Sequence, residues 1–216
     1  MNPARILSVV AAPLLLAAWP ASAQDSGWSQ YRPVSTLFNL GYQISQPIGS
    51  LHGYVTDTSF RGIMFDWRSR VSKDISVGLR FSWNRFSQSY SSLTTTTNSG
   101  GTLVGPVFRF MDQLPLEAIV HYYIGTGSDN TITPYVGFGI GGVWSNSYQQ
   151  TADIANSQNG FYFIVSPEVG AVIWFVKGAT NVGLNLAVTY HFTTISFRNV
   201  SDAQSFAETI GIAFAY

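Results

Sequence analysis

The chain has no cysteine, so no disulfide holds it together and thiol chemistry is excluded. Charge is scarce: Asp, Glu, Lys and Arg make up 10% of its 216 residues, against roughly 25% in ordinary soluble domains. The 11 basic and 11 acidic residues cancel, so the basic surplus expected of a nucleic-acid binder is missing. Beyond residue 23 no apolar run is long enough to cross a bilayer as a helix, which takes about 20 residues. The three histidines, His52, His121 and His191, stand far apart, so no metal-ligand spacing forms and neither metal nor cofactor is expected. What the chain has in abundance is aromatic side chains, at 15%, and glycine, at 20 residues.

The first residues have a different character. Arg5 precedes an apolar stretch from Ile6 to Trp19, followed by Ala21-Ser22-Ala23. A basic start, a short apolar core and an A-x-A site are the marks of a secretory signal peptide. Residues 1–23 are therefore expected to be cleaved after Sec-type export, leaving 24–216 as one domain.

The rest alternates. From Ile75, every second residue is apolar: Ile75, Val77, Leu79, Phe81, Trp83. Between them stand Ser76, Gly78, Arg80, Ser82 and Asn84. The same period recurs at 36–45, 60–68, 132–141, 161–175, 182–192 and 209–216. Period two over about ten residues, with no long helical pattern, is the signature of strands that face lipid on one side and a polar lumen on the other. An outward Arg80 at mid-bilayer would cost about 2–4 kcal/mol, which sets the direction of the alternation.

The linkers form two classes. Val71–Asp74, Gly125–Asn130 and Lys177–Asn181 are short, whereas Gln46–Thr58, Ser87–Gly101, Ser145–Gly160 and Thr193–Ser205 are long and rich in Ser, Thr, Asn and Gln. Short periplasmic turns alternating with long extracellular loops are expected of outer-membrane barrels. The stretch 102–123 could be two strands broken at Asp112–Pro115, but nine strands would break that alternation. One descending strand from about Leu116 to Ile124 is expected instead. Residues 103–111 then either extend the preceding hairpin or continue that strand through a bulge. The expected fold is all-β: an eight-stranded antiparallel transmembrane β-barrel with both termini periplasmic.

Aromatic placement fits this frame. Trp67, Tyr122, Phe175 and Tyr216 fall near the expected periplasmic ends, and Trp83, Trp144, Tyr190 and Phe192 near the extracellular ends. They could instead fill the core of a soluble β-sandwich or lipocalin, but the even loop spacing and the export signal argue against that. By parity the lumen receives Asp66, Arg68, Arg80, Arg109, Glu117, His121, Glu168 and His191. A narrow eight-stranded barrel has room for little besides side chains, so these are expected to pair as a structural network. Arg80 is expected to pair with Asp66, Glu117 or Glu168. A polar permeation path or proton-linked gate is the sharper reading of the same residues.

The stretch "TPYVGFGIGG", from Thr133 to Gly142, resembles the fifth strand of the OmpW family. The preceding "LPLEAIVHYYIGTGSDNTI" is similar to that family's fourth strand and turn, although Leu116 stands where a second proline is usual. Tyr216 resembles the aromatic end residue read by the barrel-assembly machinery. The resemblance implies a conduit for small hydrophobic molecules past an apolar lumen constriction, for which Met64, Ile119 and Trp174 have the right parity.

Other chemistry is thin. His191, Thr193 and a later Glu208 resemble in part the His-x-Ser and Glu of lipid A deacylases, with Thr in place of the nucleophile. The glycines at 137, 139 and 141 lie inside a strand, so they form no phosphate-binding loop and are expected to serve close packing. No catalysis is expected. The expected location is the outer membrane of a Gram-negative bacterium. The expected partners are lipid, lipopolysaccharide, the assembly machinery and, by the resemblance, small hydrophobic solutes. A second class of function, surface contact through the long loops with host or phage, fits the same architecture.

Overall fold

The computed structural model describes residues 36–96, 101–125, 130–151, 154–177, 180–195 and 200–216. The expected signal peptide and its cleavage site lie outside the described residues. The elements are β1 (Thr36–Ile48), α1 (Gly49–Tyr54), β2 (Ser59–Arg70), β3 (Ile75–Thr96), β4 (Thr102–Tyr123), β5 (Ile132–Thr151), β6 (Ile154–Val176), β7 (Asn181–Thr193) and β8 (Ala203–Ala215). The eight strands pair antiparallel in sequence order, and β8 returns to β1 to close the barrel. The backbones of Thr36 and Tyr216 exchange N–H···O bonds of 3.0 and 3.1 Å at that seam.

The alternation read from the sequence is the alternation of burial. On β3, Ile75, Val77, Leu79 and Phe81 are exposed on the outer wall, while Ser76, Arg80, Ser82 and Asn84 are buried inside. β8 does the same, with Ile210, Ile212 and Phe214 outside and Thr209, Ala213 and Ala215 inside. Leucine and phenylalanine facing outward in such numbers make sense only against lipid.

Strand length divides the barrel. β1, β2, β7 and β8 have 12 or 13 residues, and β3 to β6 have 20 to 23. Crossing a bilayer takes about 9–11 residues per strand. The β3–β6 half therefore rises as a four-stranded sheet beyond the band where lipid can reach. Two expected loops, Ser87–Gly101 and Ser145–Gly160, are corrected by this. β3 runs on to Thr96 and β4 starts at Thr102, while β5 reaches Thr151 and β6 starts at Ile154. Their composition is polar because both faces meet water there, and paired backbone groups hold the strands without an apolar side.

β4 is one strand through Asp112–Pro115, so the count is eight. Pairing with β3 skips Ser82 and Trp83, the residues opposite Leu114 and Pro115. A proline has no N–H to give, so the ladder lapses there and resumes on either side. β6 skips its pairing with β7 at Ser166 and Pro167 for the same reason.

The first long linker holds a feature that the sequence reading missed. Gly49, at φ +57°, opens the six-residue helix α1. Leu51, Tyr54 and Val55 of that segment are buried over the barrel mouth.

Candidate functional site

The lumen is built in three layers. At the short-turn end, Leu37, Tyr123, Tyr135, Val172, Trp174 and small alanines of β7 and β8 pack into an apolar cluster. Trp174 donates its indole N–H to Thr133 Oγ1 at 3.1 Å. At the opposite end, Leu51, Tyr54 and Val55 pack on Phe86, Met111, Ile195, Val200 and Ala203. α1 is thereby a cap on the barrel mouth. Between the two clusters lies a belt of charged and polar side chains.

The belt is one connected network across six strands. Asn39 Nδ2 donates to Asp66 Oδ2 at 3.4 Å, and Arg68 Nε lies 2.9 Å from Asp66 Oδ1. Arg68 Nη1 reaches His121 Nδ1 at 2.9 Å and the Tyr123 hydroxyl at 3.1 Å. A guanidinium can only donate, so His121 Nδ1 accepts and Nε2 carries the ring's proton. That Nε2 lies 3.1 Å from Glu168 Oε1, somewhat off the ideal N–H direction. Glu168 Oε2 accepts from the Thr189 hydroxyl at 2.7 Å and forms an ion pair with Arg80 Nη2 at 2.6 Å, outside hydrogen-bond alignment. Arg80 and Glu168 are 1% and 2% exposed, so the pair is dry.

A second group lies on the other flank of Arg80. Glu117 is paired with Arg80 in strand register, yet neither of its carboxylate oxygens has a hydrogen-bond partner. Arg80 Nε, His191 Nε2 and the hydroxyls of Ser82 and Ser145 are likewise buried and unsatisfied. Isolated buried charge is costly, so this flank is the least comfortable part of the belt.

β5 makes room for the network. His121 is opposite Gly137, and Glu117 is opposite Gly141, in register. A Cβ on Gly137 would lie 2.1 Å from His121 Cδ2, and one on Gly139 would lie 2.9 Å from Glu117 Oε1. The inward glycines of "PYVGFGIGG" are the space into which the bulky polar side chains of β4 fold.

Of the eight residues assigned to the lumen by parity, seven are brought together here. The eighth, Arg109, stands above them in the rising part of β4. Its Nη1 donates to the Tyr54 carbonyl of the cap at 3.2 Å, and its guanidinium lies over the rings of Tyr54 and Tyr90. The partner of Arg80 is Glu168, across the lumen, while Asp66 on the neighbouring strand serves Arg68. Met64 and Ile119 are buried within the belt, and Trp174 belongs to the short-turn cluster. His52 is exposed on α1. Sequence reading missed Asn39, Thr189, Ser166 and the tyrosines 123 and 135; inward parity was the signal that could have found them.

The arrangement offers little to chemistry. Ser166 Oγ and His191 Nδ1 are 2.9 Å apart, a nucleophile–base spacing, but both are buried in the belt. His191 and Thr193 face inward and Glu208 faces outward, so those three cannot act on one substrate. Among the described residues no cluster of three or more metal-ligating side chains occurs.

The closed eight-strand ring, with apolar wall and polar filling, fixes the fold by geometry. Comparison with solved structures agrees. Neisserial surface protein A superposes with a TM-score of 0.55 at 13% identity, over 84% of this chain and 97% of that one. This chain has the fold of a small outer-membrane β-barrel. OprG from Pseudomonas aeruginosa (TM-score 0.46, 14% identity, 84% and 96% covered) and Ail of Yersinia pestis (0.45, 10%, 84% and 97%) also match. No protein-family model and no curated protein matches the chain.

Proposed function

We propose that this protein is a non-catalytic barrel of the Gram-negative outer membrane that acts through its outer surface rather than through its lumen. The observation that carries this reading is the layered filling: a dry belt of buried charged and polar side chains between two apolar clusters. A solute would have to displace the α1 cap, break the Arg80–Glu168 contact and part the Tyr123–Tyr135 cluster. What remains accessible is the rising sheet of β3 to β6, whose uncharged Ser, Thr, Asn and Gln face water. Contact with a host, phage or lipopolysaccharide surface is the role that such a sheet suits. Lipid on the wall and the assembly machinery during insertion are the partners that this location implies.

The resemblance of 133–142 to the OmpW family favours a second reading, a conduit for small hydrophobic molecules. The inward glycines that carry that resemblance are occupied here by His121 and Glu117, which speaks for packing.

Two measurements test the proposal. The exported protein should fractionate with the outer membrane and shift its gel mobility on boiling; recovery as a soluble periplasmic monomer would overturn the location. Vesicles holding the purified barrel should take up a small hydrophobic dye no faster than empty vesicles. Faster uptake, abolished by adding bulk at Gly137, would establish the conduit instead.

A further inference from the structure

The outer wall carries an anomaly. Glu208 sits on the lipid-facing side of β8 between Phe206 and Ile210, both exposed. It is exposed, and among the described residues no hydrogen bond or ion pair holds its carboxylate. A charge on the lipid side of a membrane strand carries a cost that grows with depth, and a partner that relieves it has to come from outside the chain. Phe206 packs at a tilt against Tyr190, with ring centroids 5.4 Å apart, one step nearer the long-loop end, so Glu208 lies just inside the aromatic border.

A matching cation stands two strands away. Glu208 is paired in register with Ile44 of β1. On its other side Ile44 faces a bulge: Gln43 pairs with Gly62 and Ser45 with Ser59, so Phe60 and Arg61 together oppose Ile44. Both are exposed on the outer face, and among the described residues the Arg61 guanidinium has no hydrogen-bond or ion-pair partner. Glu208 and Arg61 thus flank Ile44 symmetrically, about 10 Å apart at a strand spacing of about 4.8 Å. Their depths agree: Glu208 lies eight residues before Tyr216, and Arg61 nine before Arg70.

We infer that the β8–β1–β2 wall is a self-complementary interface, and that its occupant is a second copy of this chain. Two upright barrels in one membrane are related by a two-fold axis along the membrane normal. Seen face to face across such an axis, the left flank of one meets the right flank of the other. With the axis in front of Ile44, Glu208 of each copy faces Arg61 of its partner, which makes two ion pairs and leaves none of the four charges alone. That is the isologous geometry of a C2 dimer. The wall is also the low one, where strands of 12 and 13 residues leave no overhang to keep two barrels apart. The rising sheets then point away from each other. The inference rests on the barrel lying in a membrane, which the fractionation above decides separately.

Charge exchange tests it. The chain has no cysteine, so single cysteines report contacts cleanly. In outer membranes, Ile44→Cys should cross-link between copies at least tenfold more than Val120→Cys on the far wall. Glu208→Arg or Arg61→Glu should each cut Ile44→Cys cross-linking about tenfold, and the two together should restore it. Glu208→Gln covers the case in which Glu208→Arg does not insert, and should also weaken cross-linking. Equal cross-linking at residues 44 and 120, reversals without effect, or a double exchange that fails to rescue would overturn the dimer. Failure of rescue, with both reversals active, would point to an amine-bearing lipid or another protein at Glu208.

Discussion

Arg80 and Arg85 stand five residues apart on β3 and hold their carboxylates in different media. Arg80 meets Glu168 inside the belt, with 1% and 2% of the side chains exposed. Arg85 grips Asp112 on the outer face of the rising sheet through two contacts of 2.6 and 2.7 Å, with 39% and 11% exposed. The second pair has the better geometry, being bidentate and set by strand register. The first has the larger consequence, because it is shut off from the water that would solvate a charge left without its partner. Geometry tells which groups are paired; surroundings tell what the pairing is worth.

The sharpest way to break this comparison is Arg80→Leu. It leaves Glu168 with only Thr189 and His121 in a dry lumen and should cost about 3–5 kcal/mol in urea unfolding from lipid vesicles. A loss under about 1 kcal/mol would mean that water reaches the belt and that the two regions do not differ in kind. Met111→Ala, which hollows the cluster beneath α1, should cost about 2–3 kcal/mol and speed dye uptake into vesicles, if that cluster closes the mouth. Arg85→Leu should change stability by about 0–1 kcal/mol despite removing the better-formed pair. The smallest effect belongs to the top of the sheet. Replacing 94–104 by an Asn-Gly turn between the paired Leu93 and Gly105 should leave the unfolding free energy within about 0.5 kcal/mol.

The fold was legible because lipid imposes a strict rule. Every strand that crosses the wall announces its two faces by alternation, and Arg80 alone fixes which face is inside. Legibility ended where lipid ends. In 87–96 and 154–160 no apolar face is required, so strands and loops have the same composition. α1 was hidden by its length: in six residues, Leu51, Tyr54 and the following Val55 give the three-and-four spacing only once. The inward set of the belt could be read, but not its pairing. Register places Asp66 and Glu117 beside Arg80, and both are passed over for Glu168 on the far wall. In a lumen this narrow, opposite walls are as close as neighbouring strands, and sequence spacing carries no trace of that.

The seam between β1 and β8 has a consequence for timing. Phe38 pairs with Phe214, so the ring is completed by contacts between the two most distant strands of the chain. Loop closure over such a span is slow, and until it happens the growing sheet has two bare edges that could pair with any other strand. Asp66 and Arg68 pair within β2, but Arg80 of β3 reaches Glu168 of β6 only across the lumen, so an open sheet leaves those two charges apart. A half-built barrel would carry those charges against hydrocarbon. Closing the ring and joining Arg80 to Glu168 are thereby tied into a single late event.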